Sequence, residues 1–250
     1  MTTADSPESR KVLVAFAQAK WDAMDRARKR EVSGRPGVAI LVVDGESRMD
    51  PAVAKRVLAD FTVTDGAVLV QNPYDTSRYF LEEDAAVEIA LEKTLCIAEV
   101  CHLIGARRFN VTSVQNDTDG TQWSADAGGG SKRVLGKFSG TGGKTKQLAR
   151  RITLSDKSSG GIPDIQAARD YLAQHNLESD SMLRSLVDMV AFENNQIQER
   201  ALTVDVTREA KSTLKLALEV KAADYGSGKA TGGGTKSAVD QLTVKYEISF

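Results

Sequence analysis

The sequence predicts an α+β fold: an extended, mostly antiparallel sheet with Gly/Lys-rich hairpins, backed by two or three long helices. Three observations carry this expectation. The stretch Ala85–Ile104 is apolar on most helical faces, through Val87, Ile89, Leu91, Leu95, Ile97, Val100 and Leu103, as a helix at the centre of a core must be. Segments at Leu202–Val206, Leu214–Val220 and Leu242–Phe250 alternate apolar and polar residues with a period of two, the pattern of strands with one wet face. Glycine-rich clusters at 128–130, 140–143 and 232–234 punctuate the strand-like runs as hairpin turns do.

In chain order, Lys11 to about Arg30 reads as a helix, because Val12, Phe16, Ala19 and Ala23 recur at helical spacing. Its basic end, Arg26, Arg28, Lys29 and Arg30, suits the negative end of a helix dipole. Ser33, Gly34, Pro36 and Gly37 break it. Val38–Val43 is a β-branched run ending in Asp44-Gly45, a buried strand followed by a turn. Asp50-Pro51 is a helix start, and that helix ends near Asp60. Phe61–Thr64 and Ala67–Gln71 flank Thr64-Asp65-Gly66, which suggests a hairpin, with a β-α-β arrangement also open.

The helix that follows carries Glu82, Glu83 and Asp84 in its first turns, where the dipole favours anions, and Gly105 stops it. Beyond it the period switches to two. Phe109, Val111 and Ser113, then Val134 and Lys137, then Ile152 and Leu154 sit in short runs separated by glycine turns, which predicts an antiparallel meander. Pro163 opens a helix, and Ser179 or Asp180 caps a second one with Leu183, Leu186, Val187, Val190 and Ile197 on one face. Gly128–Lys132 is echoed by Gly232–Lys236, so a degenerate internal duplication is one reading of the pattern. The whole of 1–250 is expected to form a single domain, whose halves would be 1–157 and 162–250, joined by the loop 155–161.

With 250 residues, 41% of them hydrophobic and 27% charged, the chain can bury a sizeable core, and disorder throughout is excluded. Its N-terminal stretch lacks the apolar centre of a secretory leader, and its longest aliphatic run is too short to span a bilayer as a helix, so a cytoplasmic product is expected. Cys96 and Cys101, five apart on a helix, project about 140° from one another and are read as reduced, buried thiols.

The net charge is −1, yet residues 128–151 carry seven Lys/Arg, seven Gly and no Asp or Glu. A local +7 in a nearly neutral chain marks where an anionic partner would sit. The candidate contacts are Lys132, Arg133, Lys137, Lys144, Lys146, Arg150 and Arg151, joined by Lys229 and Lys236 of the second glycine-rich loop. The island ends in Ser139-Gly140-Thr141-Gly142-Gly143-Lys144-Thr145, close to a phosphate-binding loop, but Phe138 stands where the first glycine is required. The segment after it reads as strand as readily as helix, so an exposed β-turn is expected here.

His102 and His175 have no motif partner, Asp44 fits an Asp-Gly turn, and no metal-ligand spacing is present. No metal, no cofactor and no catalytic residue is therefore expected. The expected function is that of a non-enzymatic, self-associating protein, a homo-oligomer whose amphipathic β-hairpins and basic loops engage an anionic surface, such as a membrane, or neighbouring subunits. The alternative is a phosphate-ligand or nucleotide-binding enzyme or sensor that uses the degenerate glycine loop with Asp44. Nucleic acid is not an expected partner, since Phe138 is the island's one aromatic residue and little else there can stack a base.

Overall fold

The structure, a computed structural model, describes residues 11–45, 51–60, 62–117, 120–125, 136–139, 143–152, 155–157, 160–192, 198–225 and 241–250. It is a mixed α+β architecture in which most strand pairings are antiparallel. The chain forms two compact units, Met1–Ala85 with Ala210–Val239, and Ala86–Glu209 with Asp240–Phe250. Each contains one sheet.

In the first unit, β1 (Val12–Phe16), β2 (Val38–Val42), β3 (Val68–Gln71) and β4 (Tyr79–Leu81) form a sheet of order β2-β1-β3-β4. β1 and β2 are parallel, in register from Val12↔Val38 to Phe16↔Val42, while β3 is antiparallel to both β1 and β4. The helix expected from Lys11 is therefore a strand followed by two short helices, α1 (Gln18–Ala23) and α2 (Arg26–Ser33). All five residues of β1 are fully buried. A strand covered on both faces shows no alternation, and Val12 and Phe16 four residues apart mimic a helical repeat. Burial of each large apolar side chain contributes about 1.5–3 kcal/mol, which decides the matter in favour of the central strand.

α3 (Pro51–Asp60) is the helix expected there, and Ala54 and Val57 pack with Leu13, Ala15, Leu41 and Leu69 of the sheet. The expected hairpin partner of β3 is replaced by β4: residues 62–64 are not strand, although Ala67 N–H does close a turn on Thr64 O at 3.1 Å. The second correction is α8 (Lys211–Tyr225), a helix where alternation predicted a strand. Its buried residues are Thr213, Leu214, Ala217 and Val220, a helical stripe that packs on β3 and β1. Strict alternation would put Ala217 on the wet face with Lys215 and Glu219, whereas the helix buries it completely. Lys, Leu, Ala and Glu are strong helix formers, and that local preference matches the burial.

In the second unit, α4 (Glu82–Leu103), which begins within the first, runs as expected and buries Val87, Ile89, Ala90, Ile97 and Val100, with Ile104 buried in the turn that follows. The sheet has the order β7-β6-β5-β10-β9, from β5 (Arg108–Asn116), β6 (Thr121–Ala125), β7 (Gly136–Ser139), β9 (Glu199–Asp205) and β10 (Leu242–Ser249), with β8 (Ser155–Lys157) also pairing with β5. β5, β6 and β7 form an antiparallel meander, as expected for this region, but Ile152, expected in its last strand, directly follows a helix, Leu154 lies outside the described residues, and β8 pairs with β5 rather than β7. β10 lies between β5 and β9 and buries Leu242, Val244, Tyr246 and Ile248 while Lys245 and Glu247 stay exposed, as their alternation requires. α6 (Ile165–Gln174) and α7 (Ser181–Ala191) pack on each other, and Asp180 caps α7 by accepting from the amides of Met182 and Leu183.

The third correction concerns the basic island. Gly143 opens a helix, α5 (Gly143–Arg151), where a β-turn was expected. Thr145, Leu148, Ala149 and Ile152 are buried at positions i, i+3, i+4 and i+7, and α5 packs on β5 and β6. The apolar residues of this segment are few but correctly spaced, and contact with the sheet turns them into a helical face. The glycine echo at 232–236 lies outside the described residues.

Candidate functional site

The island's cations are gathered by α5 and its neighbour in sequence, β7. Four of the nine residues of α5 are basic (Lys144, Lys146, Arg150, Arg151) and none is acidic. Lys137 is on β7, opposite Ser124 of β6, and β7 is an outer strand of the sheet. Lys132, Arg133, Lys229 and Lys236 lie outside the described residues. Thr145 anchors the helix: its hydroxyl is 2.6 Å from that of Thr121 on β6, and both residues are buried. Arg150 and Arg151 occupy the last turn, where cations are favoured, whereas Lys144 adds a charge to an end that is already positive. The first turn of α5 is consequently the more anion-seeking end.

Not all of these charges are equally available. Arg151 makes a bidentate pair with Glu88 of α4, its Nη2 donating to Oε2 at 3.0 Å, and Lys146 is solvent-exposed. Gly143-Lys144-Thr145 does begin a helix, which the phosphate-loop comparison needs. The hydroxyl that would hold a magnesium ion in such a loop, that of Thr145, is instead shut in against Thr121.

Sequence reasoning missed the most heavily charged feature of the interior. Lys93, in the middle of α4, is completely buried. Its ammonium lies 2.9 Å from Asp180 Oδ2, donates to both carboxylate oxygens of Glu209 at 2.9 and 2.8 Å, and approaches Asp205 O at 3.3 Å. A buried ammonium survives only when paired and hydrogen-bonded in this way. Burial pushes the Asp180 carboxyl up, but the bond and charge of Lys93, with the amides of Leu183 and Met182, more than offset it and hold the group below the usual carboxylate range. The node ties α4 to the cap of α7 and to the segment after β9. One signal was visible: Lys93 interrupts an apolar helix on the side occupied by Ile89, Ala90 and Ile97. Its partners are too distant in sequence to be named from it.

The nucleophile candidates are quiet. Cys96 and Cys101 are free and buried, as expected. Burial pushes the Cys101 thiol up to about 12, and burial, partly countered by a bond to Tyr171, pushes Cys96 up to about 11. Neither is a thiolate at neutral pH. His175 packs against Tyr171 with ring centres 4.3 Å apart, and Asp44 is exposed in the turn after β2. Among the described residues no group of three or more His, Cys, Asp or Glu is placed to hold a metal ion, and no helix is long and apolar enough to cross a membrane. Comparison with protein-family models, with curated proteins and with solved structures finds no match to this chain.

Proposed function

We propose that the chain is a non-enzymatic protein that engages an anionic surface through α5 and β7 and works as an assembly of copies. The observation that carries this reading is the composition of α5. Four cations, of which Arg151 is paired with Glu88 of α4, and no carboxylate belong to a short helix that is held to the sheet by Thr145, Leu148 and Ala149. A lipid surface is the favoured partner, since cations gathered on one helix and the strand before it need no shaped pocket to gain from an anionic leaflet, at about 1 kcal/mol per residue near the surface. A cytoplasmic location fits, because that leaflet carries the negative charge. Self-association is supported by the outer strands β7 and β9, each of which pairs on one side among the described residues.

The phosphate-ligand reading also has one observation in its favour, the helix that begins at Gly143. Both are tested together by sedimentation with vesicles of phosphatidylcholine containing increasing phosphatidylserine, and by thermal shift with Mg-ATP. Binding that rises with phosphatidylserine, and falls roughly fivefold or more for each of Lys137→Glu and Lys146→Glu, is the expected result. Absence of vesicle binding, with a melting point raised by Mg-ATP and the rise abolished by Lys144→Ala, would replace the first reading with the second. Size-exclusion chromatography showing a monomer at all concentrations would remove the assembly part.

A further inference from the structure

A separate cleft, of about 560 Å³, opens in the second unit where α4 ends and β5 begins. Its apolar lining includes Leu95, Phe109 and Tyr171, and its polar lining includes His102, Arg107 and Arg108. We propose that this cleft binds a small amphipathic anion, a carboxylate or phosphate monoester carried on an aromatic or aliphatic body, with Arg107 and Arg108 holding the charged head.

Three observations support the assignment. The first is the state of the arginines. Both are exposed, and neither has a carboxylate partner among the described residues. The natural local acceptors for their donors, the last carbonyls of α4, are already taken. Cys101 O accepts from Ala106 N at 2.9 Å, His102 O from Gly105 N at 3.0 Å and Leu103 O from Asp164 N at 2.8 Å. The last carbonyls of α4 thus already accept backbone amides, two from the turn after the helix and one from Asp164, and a guanidinium fork matches carboxylate and phosphate alike.

The second is that Arg107 is positioned by packing. Its side chain lies over Gly160, where a Cβ would come within 2.8 Å of Arg107 Cγ and 3.0 Å of its Nε. Gly160 has φ +73, the left-handed region that favours glycine. Gly105, at φ +84, is likewise the residue that lets the chain turn from α4 towards β5, and a Cβ on it would meet Gly161 O at 2.6 Å. The stem of Arg107 thus lies directly against the backbone of Gly160 at one side of the cleft.

The third is the apolar wall. Leu95 stands 43% exposed on α4, a helix otherwise buried on most sides, and Phe109 forms a floor stacked on Tyr246 with ring centres 5.1 Å apart. Glu99 is the one carboxylate in the lining, against two guanidinium groups and an imidazole. An anion alone would leave Leu95 in water. An apolar molecule alone would leave the arginines unmatched. A ligand with both parts uses the whole cleft.

The test is a fluorescence titration of the full chain with 8-anilinonaphthalene-1-sulfonate, followed by displacement with phenyl phosphate, decanoate and inorganic phosphate. The expected result is one saturable site whose affinity falls roughly tenfold or more in the Arg107→Gln/Arg108→Gln double variant, whose melting point stays that of the parent. Phenyl phosphate displacing better than decanoate identifies a phosphate ligand, and the reverse a carboxylate. Unchanged dye affinity in the double variant overturns the proposal. So does displacement by inorganic phosphate as effective as that by phenyl phosphate, because the apolar wall would then play no part. Lys146→Glu, which tests the surface reading of α5, is expected to leave the titration unchanged, so the two proposals fail independently.

Discussion

Lys93 and Arg107 are cations carried by α4 and by the turn just beyond it, and their surroundings are opposite. Lys93 is removed from water and has two carboxylates and a carbonyl around its ammonium. Arg107 remains exposed, has no carboxylate ion-pair partner among the described residues, and lies against the backbone of Gly160. The difference teaches which charges of this protein serve its fold and which remain available for a partner. Removal from water costs an ion several kcal/mol, so a buried cation must spend its donors inside the protein. An exposed cation is under no such demand, and its donors are free to be used on a ligand.

The widest separation between the two is expected in stability. Lys93→Met should destabilise the fold by about 3–5 kcal/mol, because it leaves Asp180 and Glu209 facing one another without their cation. A urea denaturation midpoint close to that of the parent would mean that the node is not held as described. A smaller effect is expected from acid. The Asp180 carboxyl titrates below its ordinary value near 3.8, so its contribution is present above that value and is lost as pH falls through the lower, folded one. Stability followed by circular dichroism should therefore decline below about pH 4, and Asp180→Asn should flatten that part of the profile. An unaltered acid limb would assign the decline to other carboxylates. The smallest effect belongs to the exposed partner in the comparison. The Arg107→Gln/Arg108→Gln double variant should keep its unfolding free energy within about 0.5 kcal/mol, as surface changes do. A larger loss would show that these arginines support the fold, and the contrast with Lys93 would collapse.

Much of the fold was legible where one pattern had one interpretation. α4 shows apolar residues on most faces, and no strand is that long. β10 alternates strictly, and Asp180 sits where a cap is needed. The pattern misled where two periods fitted the same residues. Val12 and Phe16 are spaced for a helix and also bound a fully buried strand. Leu214, Leu216, Leu218 and Val220 alternate, yet helix formers surround them and Ala217 is buried among them. In Gly143–Arg151 too few apolar residues stand between the cations for either period to be distinct. Of the site, the cations themselves were visible as a charge island, whereas their placement on a helix was not. The cleft was less legible still, since Leu95, Arg107 and Tyr171 belong to three elements.

By itself the sequence determined the class of the fold, the central helix, the antiparallel meander after it, the one-wet-face alternation of β9 and β10, and the unequal distribution of charge. These rest on local periodicity and composition, which each segment carries within itself. Tertiary structure alone decided that Val12–Phe16 is a central strand, that Lys211–Tyr225 and Gly143–Arg151 are helices, that Lys93 is an interior ion, and that Arg107 and Arg108 line a cleft. Each of those outcomes depends on which surface a segment is buried against and which distant groups meet its charges, and those partners are chosen only when the chain folds.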